Sequence, residues 1–509
     1  MIQYHHTRSL RKVGGKLRQN VSLLNLILII TTTVYSFSSM TTAFFMLGSR
    51  SLTWFLISAA CYFIPYALIV AQYTKKYAQR SGSIYDWLKD SLSPKAAFVT
   101  AFLWYCSYFI WMISLFMKLL IPLSILLFGQ DLTGKINWLG VPPQAWLAFF
   151  AILAVFLLTT LITRGFQTIL SFLKLSSYAM LGLLVLSLLS NLTIILLQPN
   201  QLAVNLTQSL HAPSFFAGTN EHFLSQLPFF IFSITAFGGL DTVASLADRT
   251  KNSQTRFPKA IVYSAGLIFL LYFGGIILWS GAANLEQLRN GDQMHLGNLM
   301  YGLIGSTAHS LGRLFQLTSS QSELLYQVYI RYTAFTMFAA YLSLLSSITY
   351  GPLKSLIQGT PKELWPQKWV LLNKQQMPAK ALWVQSWLLA LCIFVLSLNH
   401  SFVADLFNQL TYMTNVSRAL PYFIVAMSFP FFLKKGMVQP QELLVQRKQV
   451  NYGLSFSVCA CIFLAIAFQV YEPLKVGNYL NFLTLIVGPL LFAGLASWIY
   501  QRFERKQAI

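Results

Sequence analysis

Long runs of apolar residues recur along the chain and constrain its fold more than any other feature. Of its 509 residues, 56% are hydrophobic and only 10% are charged, whereas soluble domains carry roughly 25% charged residues. A helix needs about 20 consecutive apolar residues to cross the hydrocarbon core of a bilayer, and several runs exceed that length. We therefore expect an all-α polytopic membrane protein, because lipid cannot satisfy exposed backbone polar groups.

Twelve apolar segments are candidate membrane spans. They lie at about 21–47, 52–73, 96–127, 144–163, 168–197, 223–247, 260–281, 326–357, 381–398, 402–433, 452–470 and 479–500. We expect 1–20 to form an N-terminal tail, 21–197 helices 1–5, 198–433 helices 6–10, and 434–509 helices 11–12 with a C-terminal tail. If helices 1–5 and 6–10 are repeats, the odd number of helices in each makes them inverted repeats.

The basic residues predict the orientation of these spans. Of 36 lysines and arginines, 28 belong to the two tails, the loops on their side and the adjoining span ends, with Lys174 and Lys354 at such ends; 5 belong to the opposite loops, and the remaining three, Lys118, Arg331 and Arg418, lie inside spans. Positive residues favour the cytoplasmic side, so both termini are expected in the cytoplasm. The net charge of +22 then reflects topology and attraction to anionic lipid headgroups, and no nucleic-acid partner is expected. The first apolar run is too long for a signal peptide and is interpreted as a retained helix.

Motifs for catalysis and cofactor binding are missing from the sequence. It has neither a P-loop nor a G-x-S-x-G motif, which argues against ATP-driven transport and against an enzyme. All five cysteines lie in apolar runs, and the C-x-C pair Cys459 and Cys461 is interpreted as packing rather than as a metal site. The histidines fall in the tail or in loops, so we expect no metal and no other cofactor.

Two loops are long enough to have structure of their own. The exterior loop, 282–325, is expected to form a partly ordered cap. The cytoplasmic loop, 359–380, is amphipathic and is expected to lie on the membrane surface.

The clearest polar group inside a span is Asp241, in the sequence FGGLDTVASLADR at 237–249. A charge at the centre of a membrane helix costs about 2.5–3.5 kcal/mol on insertion scales, so such residues usually have a function; a structural, hydrogen-bonded acid is the alternative. The preceding Gly238 and Gly239 favour either close helix packing or an unwound segment. Unwinding would free backbone amides at the start of a second half-helix and place Asp241 in its first turn.

The first span has an unusual density of hydroxyl groups. Its stretch TTTVYSFSSMTTAFF, at 31–45, contains Ser36, Ser38, Ser39 and five threonines. Hydroxyl side chains can bond to their own helix, but this density favours a wall that faces a polar solute. Helices 1 and 6 correspond in the two halves, and interruptions at corresponding positions indicate a transporter binding site.

The three cations inside spans bias the interior towards positive charge. Taken singly, each is interpreted as a structural partner of a carbonyl group, and Lys118 lies near the outer end of helix 3, where it can extend to the interface. Taken as a set against Asp241, they favour a substrate that carries a carboxylate.

Three segments carry a resemblance to a known family. They are SGSIYDWLKDSLSPKAAF at 81–98, FGGLDTVASLADRTKN at 237–252 and YGPLKSLIQGTPKELWP at 350–366. With the twelve spans, they resemble the amino acid/polyamine/organocation (APC) superfamily, its glutamate/GABA antiporter family and, within it, the YjeM-like inner-membrane branch. The resemblance covers nearly the whole chain. It implies the LeuT-type fold, a 5+5 inverted repeat followed by two helices, and amino acid transport across the cell (inner) membrane.

The chain departs from the family's pattern at both breaks. The family usually has glutamate in a G-x-E pattern where this chain has Asp241, and YSFSSM at 35–40 replaces the superfamily's glycine-rich break in helix 1. The serines of that stretch would then supply the flexibility and the hydroxyl groups. Lys118 and Arg331 match basic residues of the YjeM-like branch and Arg418 does not, so the resemblance favours the first two.

The sequence thus predicts a secondary active transporter of amino acids or related amines, an antiporter that works by alternating access. The expected substrate site comprises Tyr35, Ser36, Ser38, Ser39, Phe237, Gly238, Gly239, Asp241, Tyr105 and Arg331, with Lys118 as a charge partner and Trp104 as a further aromatic residue. Asp241 would pair with an ammonium group or carry a coupling proton, since burial disfavours a charged carboxylate. A proton- or sodium-coupled symporter and a non-transporting sensor or scaffold are the alternatives, and the chain is expected to be a monomer or a homodimer.

Overall fold

A computed structural model describes residues 22–80, 83–135, 140–214, 226–245, 247–250, 252–289, 297–398, 403–475, 477 and 479–507, so the predicted tail at 1–20 lies outside the described residues. The described residues form α-helices joined by turns and short helical segments. In chain order the α-helices are α1 Leu23–Val34, α2 Phe37–Leu47, α3 Ser51–Ser58, α4 Ile64–Tyr77, α5 Ile84–Ser91, α6 Pro94–Lys118, α7 Leu120–Phe128, α8 Pro143–Thr163, α9 Phe166–Leu197, α10 Pro199–His211, α11 Pro228–Ala236, α12 Leu240–Ala244, α13 Ser253–Ala282, α14 Leu285–Arg289, α15 Leu299–Leu314, α16 Ser319–Gly359, α17 Gln367–Val370, α18 Ala379–Ser397, α19 Val403–Lys434, α20 Lys448–Lys475 and α21 Tyr479–Gln507.

Each predicted apolar segment coincides with helix in the described residues. Eight helical segments there are long and apolar enough to cross a membrane, and two shorter apolar segments, Leu23–Val34 and the interrupted Phe229–Ala244, belong to the first and sixth predicted spans. These findings indicate an all-helical, polytopic membrane protein. The count of twelve crossings, the inverted halves and the orientation stay predictions, and the sides of the membrane are named below as the charge distribution predicts them.

The first predicted span is two helices rather than one. α1 ends at Val34, Tyr35 and Ser36 are extended, and α2 begins at Phe37. The Ser36 hydroxyl caps α2 by accepting a hydrogen bond from the Ser39 amide at 3.1 Å, which is the position that favours serine. The interruption therefore depends on a serine cap and not on glycine.

The sixth predicted span is interrupted in a similar way. α11 ends at Ala236, α12 begins at Leu240, and Phe237–Gly239 are not helical. Gly239 has φ of +121°, a region that residues with a side chain rarely adopt. The break places Asp241 in the first turn of α12.

α6 and the segment from α3 to α4 pack around the two interruptions, those of the first and sixth predicted spans. α6 contacts α16, α19 and α21, so its side chains reach the middle of the bundle. Between α3 and α4 the chain makes a π-helical turn at Ala59–Phe63, a local widening that is frequent at functional positions. Phe63 from this turn stacks on Phe237 of the second break, with ring centroids 4.4 Å apart.

Both long loops pack on the bundle. In the exterior loop, α14 and α15 are helical, and Arg289 donates hydrogen bonds to the carbonyl oxygens of Phe45 and Met46 in the last turn of α2. In the cytoplasmic loop, the Trp365 ring packs on Phe98 of α6, with centroids 6.0 Å apart. The exterior loop is therefore a helical cap tied to α2.

Candidate functional site

A cavity of about 140 Å³ lies between the two broken helices. Ser36, Ser38 and Ser39 line it from the first break, Gly238 lines it from the second, and Lys118 lines it from α6. Much of its wall comes from α2, α11 and the C-terminal half of α6. These elements occupy the predicted exterior half of the bundle, so the cavity lies on that side of the two breaks.

One tyrosine of α13 joins the two breaks. The Ser36 amide donates to the Tyr272 hydroxyl oxygen at 3.1 Å, and the same hydroxyl donates to the Ala236 carbonyl oxygen at 2.8 Å. The ring of Tyr272 lies 4.8 Å from that of Tyr35 and 5.2 Å from that of Phe237, measured between centroids. Tyr35 and Phe237, two predicted site residues, therefore pack around this buried tyrosine, next to the cavity.

The two glycines of the second break serve different purposes. A Cβ atom on Gly238 would lie 2.6 Å from Nη2 of Arg418 and 2.9 Å from the Tyr422 hydroxyl oxygen, inside normal contact distance. A Cβ atom on Gly239 would meet Val34 at 3.7 Å, an ordinary contact. Gly238 is thus required for space, and Gly239 for its backbone conformation.

Asp241 is fully buried and bonded to α6. Its Oδ2 accepts hydrogen bonds from the Trp104 indole nitrogen and from the Tyr108 hydroxyl, the latter at 3.0 Å. Its Oδ1 has no hydrogen-bond partner among the described residues. Trp104 was predicted as a further aromatic residue of the site, and the structure shows that its indole nitrogen donates to the acid.

Two tyrosine hydroxyls connect Asp241 with Arg418. The Tyr108 hydroxyl lies 3.4 Å from that of Tyr422, and Tyr422 in turn interacts with the Arg418 side chain. The Arg418 guanidinium lies 3.8 Å from the centre of the Trp111 ring, and the side chain lines the cavity although it is only 6% exposed. A desolvated cation over a tryptophan face gains about 2 kcal/mol, so Arg418 is held in place by the ring below it.

Two predicted site residues lie away from the cavity. Arg331 is exposed and donates to the Leu126 carbonyl oxygen at 3.0 Å and to Gln327 at 3.3 Å. It thereby bonds to the last turn of α7, where helix carbonyl groups need outside donors. Tyr105 is half-buried, and the centroid of its ring lies 6.3 Å from that of Phe109. Neither residue is part of the cavity wall in this arrangement of the helices.

Several residues of the site were missed or set aside in the sequence. Arg418 was identified as a cation inside a span, but the family resemblance favoured Lys118 and Arg331. Trp104, Tyr108 and Trp111 follow the spacing of one helix face, a signal that could have joined them to Asp241. For Tyr272 and Tyr422 the sequence contains no comparable signal, because each is one aromatic residue in a long apolar run.

A second charged contact lies on the predicted cytoplasmic side of the break. The ammonium group of Lys354, in α16, is 2.6 Å from both carboxylate oxygens of Asp248 and 3.4 Å from the Ser245 carbonyl oxygen. The Lys354 side chain is fully buried and that of Asp248 is 13% exposed. This ion pair joins two of the segments that carry the family resemblance, 237–252 and 350–366.

The described part of the chain holds no group of three or more histidine, cysteine, aspartate or glutamate side chains that could bind a metal. All five cysteines are free thiols. To a ligand, the cavity offers serine and threonine hydroxyls, an ammonium group and a guanidinium group.

A helical membrane protein in which two interrupted helices flank a polar cavity has the construction of a transporter. A sequence profile of the amino acid permease family matches residues 21–492, and the chain belongs to this family. It is 33% identical over 493 residues to the inner membrane transporter YjeM of Salmonella typhimurium, covering 96% of this chain and 97% of the relative. It is 32% identical over 489 residues to YjeM of Escherichia coli, covering 95% and 96%.

A more distant relative is the aspartate/glutamate permease AcaP of Lactococcus lactis, 21% identical over 492 residues, which cover 93% of this chain and 94% of the relative. The predicted membership of the APC superfamily and the likeness to the YjeM-like branch are confirmed. The chain is a multi-pass transporter of the inner-membrane type, and its relatives are named transporters or permeases, not enzymes.

Proposed function

We propose that this chain is a secondary active transporter of amino acids or related amines, an antiporter that works by alternating access. The cavity between the two broken helices carries this proposal, because interrupted helices provide polar groups for a substrate near the middle of the membrane. Membership of the amino acid permease family supports the class of substrate.

The charges around the cavity favour a substrate with a carboxylate. Lys118 and Arg418 line it, and among the described residues no aspartate or glutamate does so. The relative AcaP is named an aspartate/glutamate permease, which agrees with a positively charged cavity. The ammonium group of such a substrate would be attracted by the carbonyl ends of α1 and α11, where the helix dipoles are negative.

We propose Asp241 as the residue that either meets the substrate's ammonium group or carries a coupling proton. Among the described residues, Trp104 and Tyr108 donate hydrogen bonds to its carboxylate, and Tyr108 leads through Tyr422 to Arg418. A change of charge at Asp241 would therefore be felt at the cavity. This connection favours proton-coupled symport as the second candidate function, whereas exchange of two substrates needs no coupling ion; sodium coupling is a further alternative.

The test is exchange in proteoliposomes. The purified protein would be reconstituted without ion gradients, and uptake of labelled amino acids would be measured with and without unlabelled amino acid inside. Antiport requires internal substrate, and proton-coupled symport instead responds to an imposed pH gradient. The variant Asp241→Asn is expected to lower the exchange rate at least tenfold, since the carboxylate and its charge are both lost.

The matched control is Glu323→Gln, the same change at an exposed acid on α16. If Asp241→Asn bound and exchanged substrate like the control, the role of Asp241 would be wrong. If the wild-type protein bound amino acids but moved none, the chain would be a sensor or a scaffold.

The architecture behind this proposal is twelve crossings with both termini in the cytoplasm, residues 21–197 and 198–433 as inverted repeats, and a monomer or homodimer. Reporter fusions at the loops between spans would test the topology. A fusion after α15 that reports a cytoplasmic position would contradict it.

A further inference from the structure

We propose that Arg418 binds the substrate's carboxylate, in place of the backbone amides at the helix breaks. This inference rests on the proposed function, because it concerns the amino acid that the cavity would hold. It restores to the site a residue that the family resemblance had set aside, and it assigns a contact that determines specificity.

Three of the amides around the first break already have partners within the protein. The Ser36 amide donates to the Tyr272 hydroxyl oxygen at 3.1 Å. The Ser39 amide donates to the Ser36 hydroxyl and the Met40 amide to the Ser36 carbonyl, each at 3.1 Å. A substrate carboxylate would have to displace these bonds, and losing one leaves a buried group unsatisfied.

The amides that enter the second break are occupied in the same way. The Phe237 amide donates to the Ile234 carbonyl at 3.2 Å, and the Gly238 amide donates to the Thr235 carbonyl at 3.0 Å. The helix that follows the second break, α12, has only five residues, so its dipole is weak. The two breaks thus shape the cavity, but the five amides named here already donate to groups of the protein.

Arg418 has the opposite properties. It lines the cavity, and its Nε is buried with no hydrogen-bond partner among the described residues. A carboxylate prefers a guanidinium as a bidentate partner, with two parallel N–H···O bonds. A guanidinium can form such a pair through the edge that contains Nε. An Nε without a partner therefore points to a ligand on that edge.

The surroundings of Arg418 fix its plane and its place. Trp111 supports the guanidinium from below at 3.8 Å. Gly238 leaves space for it, because a Cβ there would lie 2.6 Å from Nη2. The guanidinium therefore lies beside Gly238 of the second break and on the wall of the cavity.

The experiment compares an amino acid with its α-amide, which lacks the carboxylate. The twenty standard amino acids would be screened on the purified wild-type protein by thermal unfolding. The one with the largest shift and its α-amide would then be titrated against wild type, Arg418→Gln and Arg331→Gln. Arg331→Gln is the matched control, since it makes the same change at an exposed arginine outside the cavity.

The expected result is that Arg418→Gln raises the Kd of the amino acid about 10- to 100-fold, the loss of a charged hydrogen-bonded pair. Its Kd for the α-amide should change by less than about threefold, so the preference for the acid largely disappears. Arg331→Gln should keep the wild-type preference. Equal affinities of wild type and a folded Arg418→Gln for the amino acid would overturn the inference.

Two further measurements test the inference if Arg418→Gln does not fold. Arg418→Lys keeps the charge but cannot pair through two parallel bonds, and it is expected to lose at least fivefold in affinity. In the wild-type protein, phenylglyoxal modification of Arg418, measured by peptide mass spectrometry, should slow when the amino acid is present and not when the α-amide is. Unchanged modification would refute the contact. If neither the twenty amino acids nor their decarboxylated amines shift the wild-type protein, the proposed function itself fails; if only amines do, the carboxylate contact is refuted.

Discussion

The ion pair between Lys354 and Asp248 is a buried contact whose removal should change the conformation of the protein. It ties α16 to the segment that follows α12, on the predicted cytoplasmic side, with the ammonium group 2.6 Å from each carboxylate oxygen. The substitution Lys354→Met keeps a long unbranched side chain and removes the charge. We expect it to open this side of the bundle.

The magnitude follows from burial. Lys354 is fully buried and Asp248 is 13% exposed, so a carboxylate left without its partner cannot recover its hydration in the closed arrangement. Removing one partner of a buried pair costs about 3–5 kcal/mol. Each 1.4 kcal/mol is a factor of ten, so the equilibrium should move roughly 10²- to 10³-fold or more towards conformations that hydrate Asp248.

The assay is the reaction rate of a cysteine introduced at Val243, in α12, where the side chain is 3% exposed. The five native cysteines would be replaced by serine or alanine, and a membrane-impermeant maleimide would be added to inverted and to right-side-out vesicles. Lys354→Met should raise the labelling rate from the cytoplasmic side only.

The double variant Lys354→Met with Asp248→Asn provides the control, because it removes both charges and leaves no buried charge without a partner. We expect its labelling rate to return most of the way to that of the parent. Equal labelling of the parent and Lys354→Met would refute the reasoning. A double variant as reactive as the single one would attribute the effect to packing instead of to charge.

Two other contacts can be tested by thermal unfolding and by the exchange assay. Gly238→Ala puts a methyl group within 2.9 Å of a guanidinium and a phenol, so we expect it to destabilise the protein by about 1–3 kcal/mol and to lower exchange; Gly274→Ala, where a Cβ meets no atom within 4 Å, should not. Tyr272→Phe removes the hydroxyl that serves both breaks and should cost about 1–3 kcal/mol, whereas Tyr263→Phe, at a side chain that is 60% exposed, should be neutral.

Much of the helical layout could be predicted from the sequence, since apolar runs must become helices in lipid. The interruption before Asp241 was also predictable, because two successive glycines and an acid conflict with a regular membrane helix. The first interruption was harder to predict: it arises from a serine that caps α2, and serines are also tolerated inside such helices.

The candidate site was predicted only in part, because a sequence shows that a cation is in a span but not which way it points. Arg331 and Arg418 both lie inside predicted spans. In the fold, α7 presents carbonyl groups to Arg331, whereas Trp111 and Gly238 make room for Arg418 beside the cavity. Packing between distant segments decides this difference.

The single hydroxyl of Tyr272 couples the movements of the two helix interruptions. It accepts from the first break and donates to the second, and a hydroxyl has only one proton to donate. A tilt of α2 that keeps both bonds must carry the end of α11 with it, so the two hinges have one shared degree of freedom in place of two independent ones.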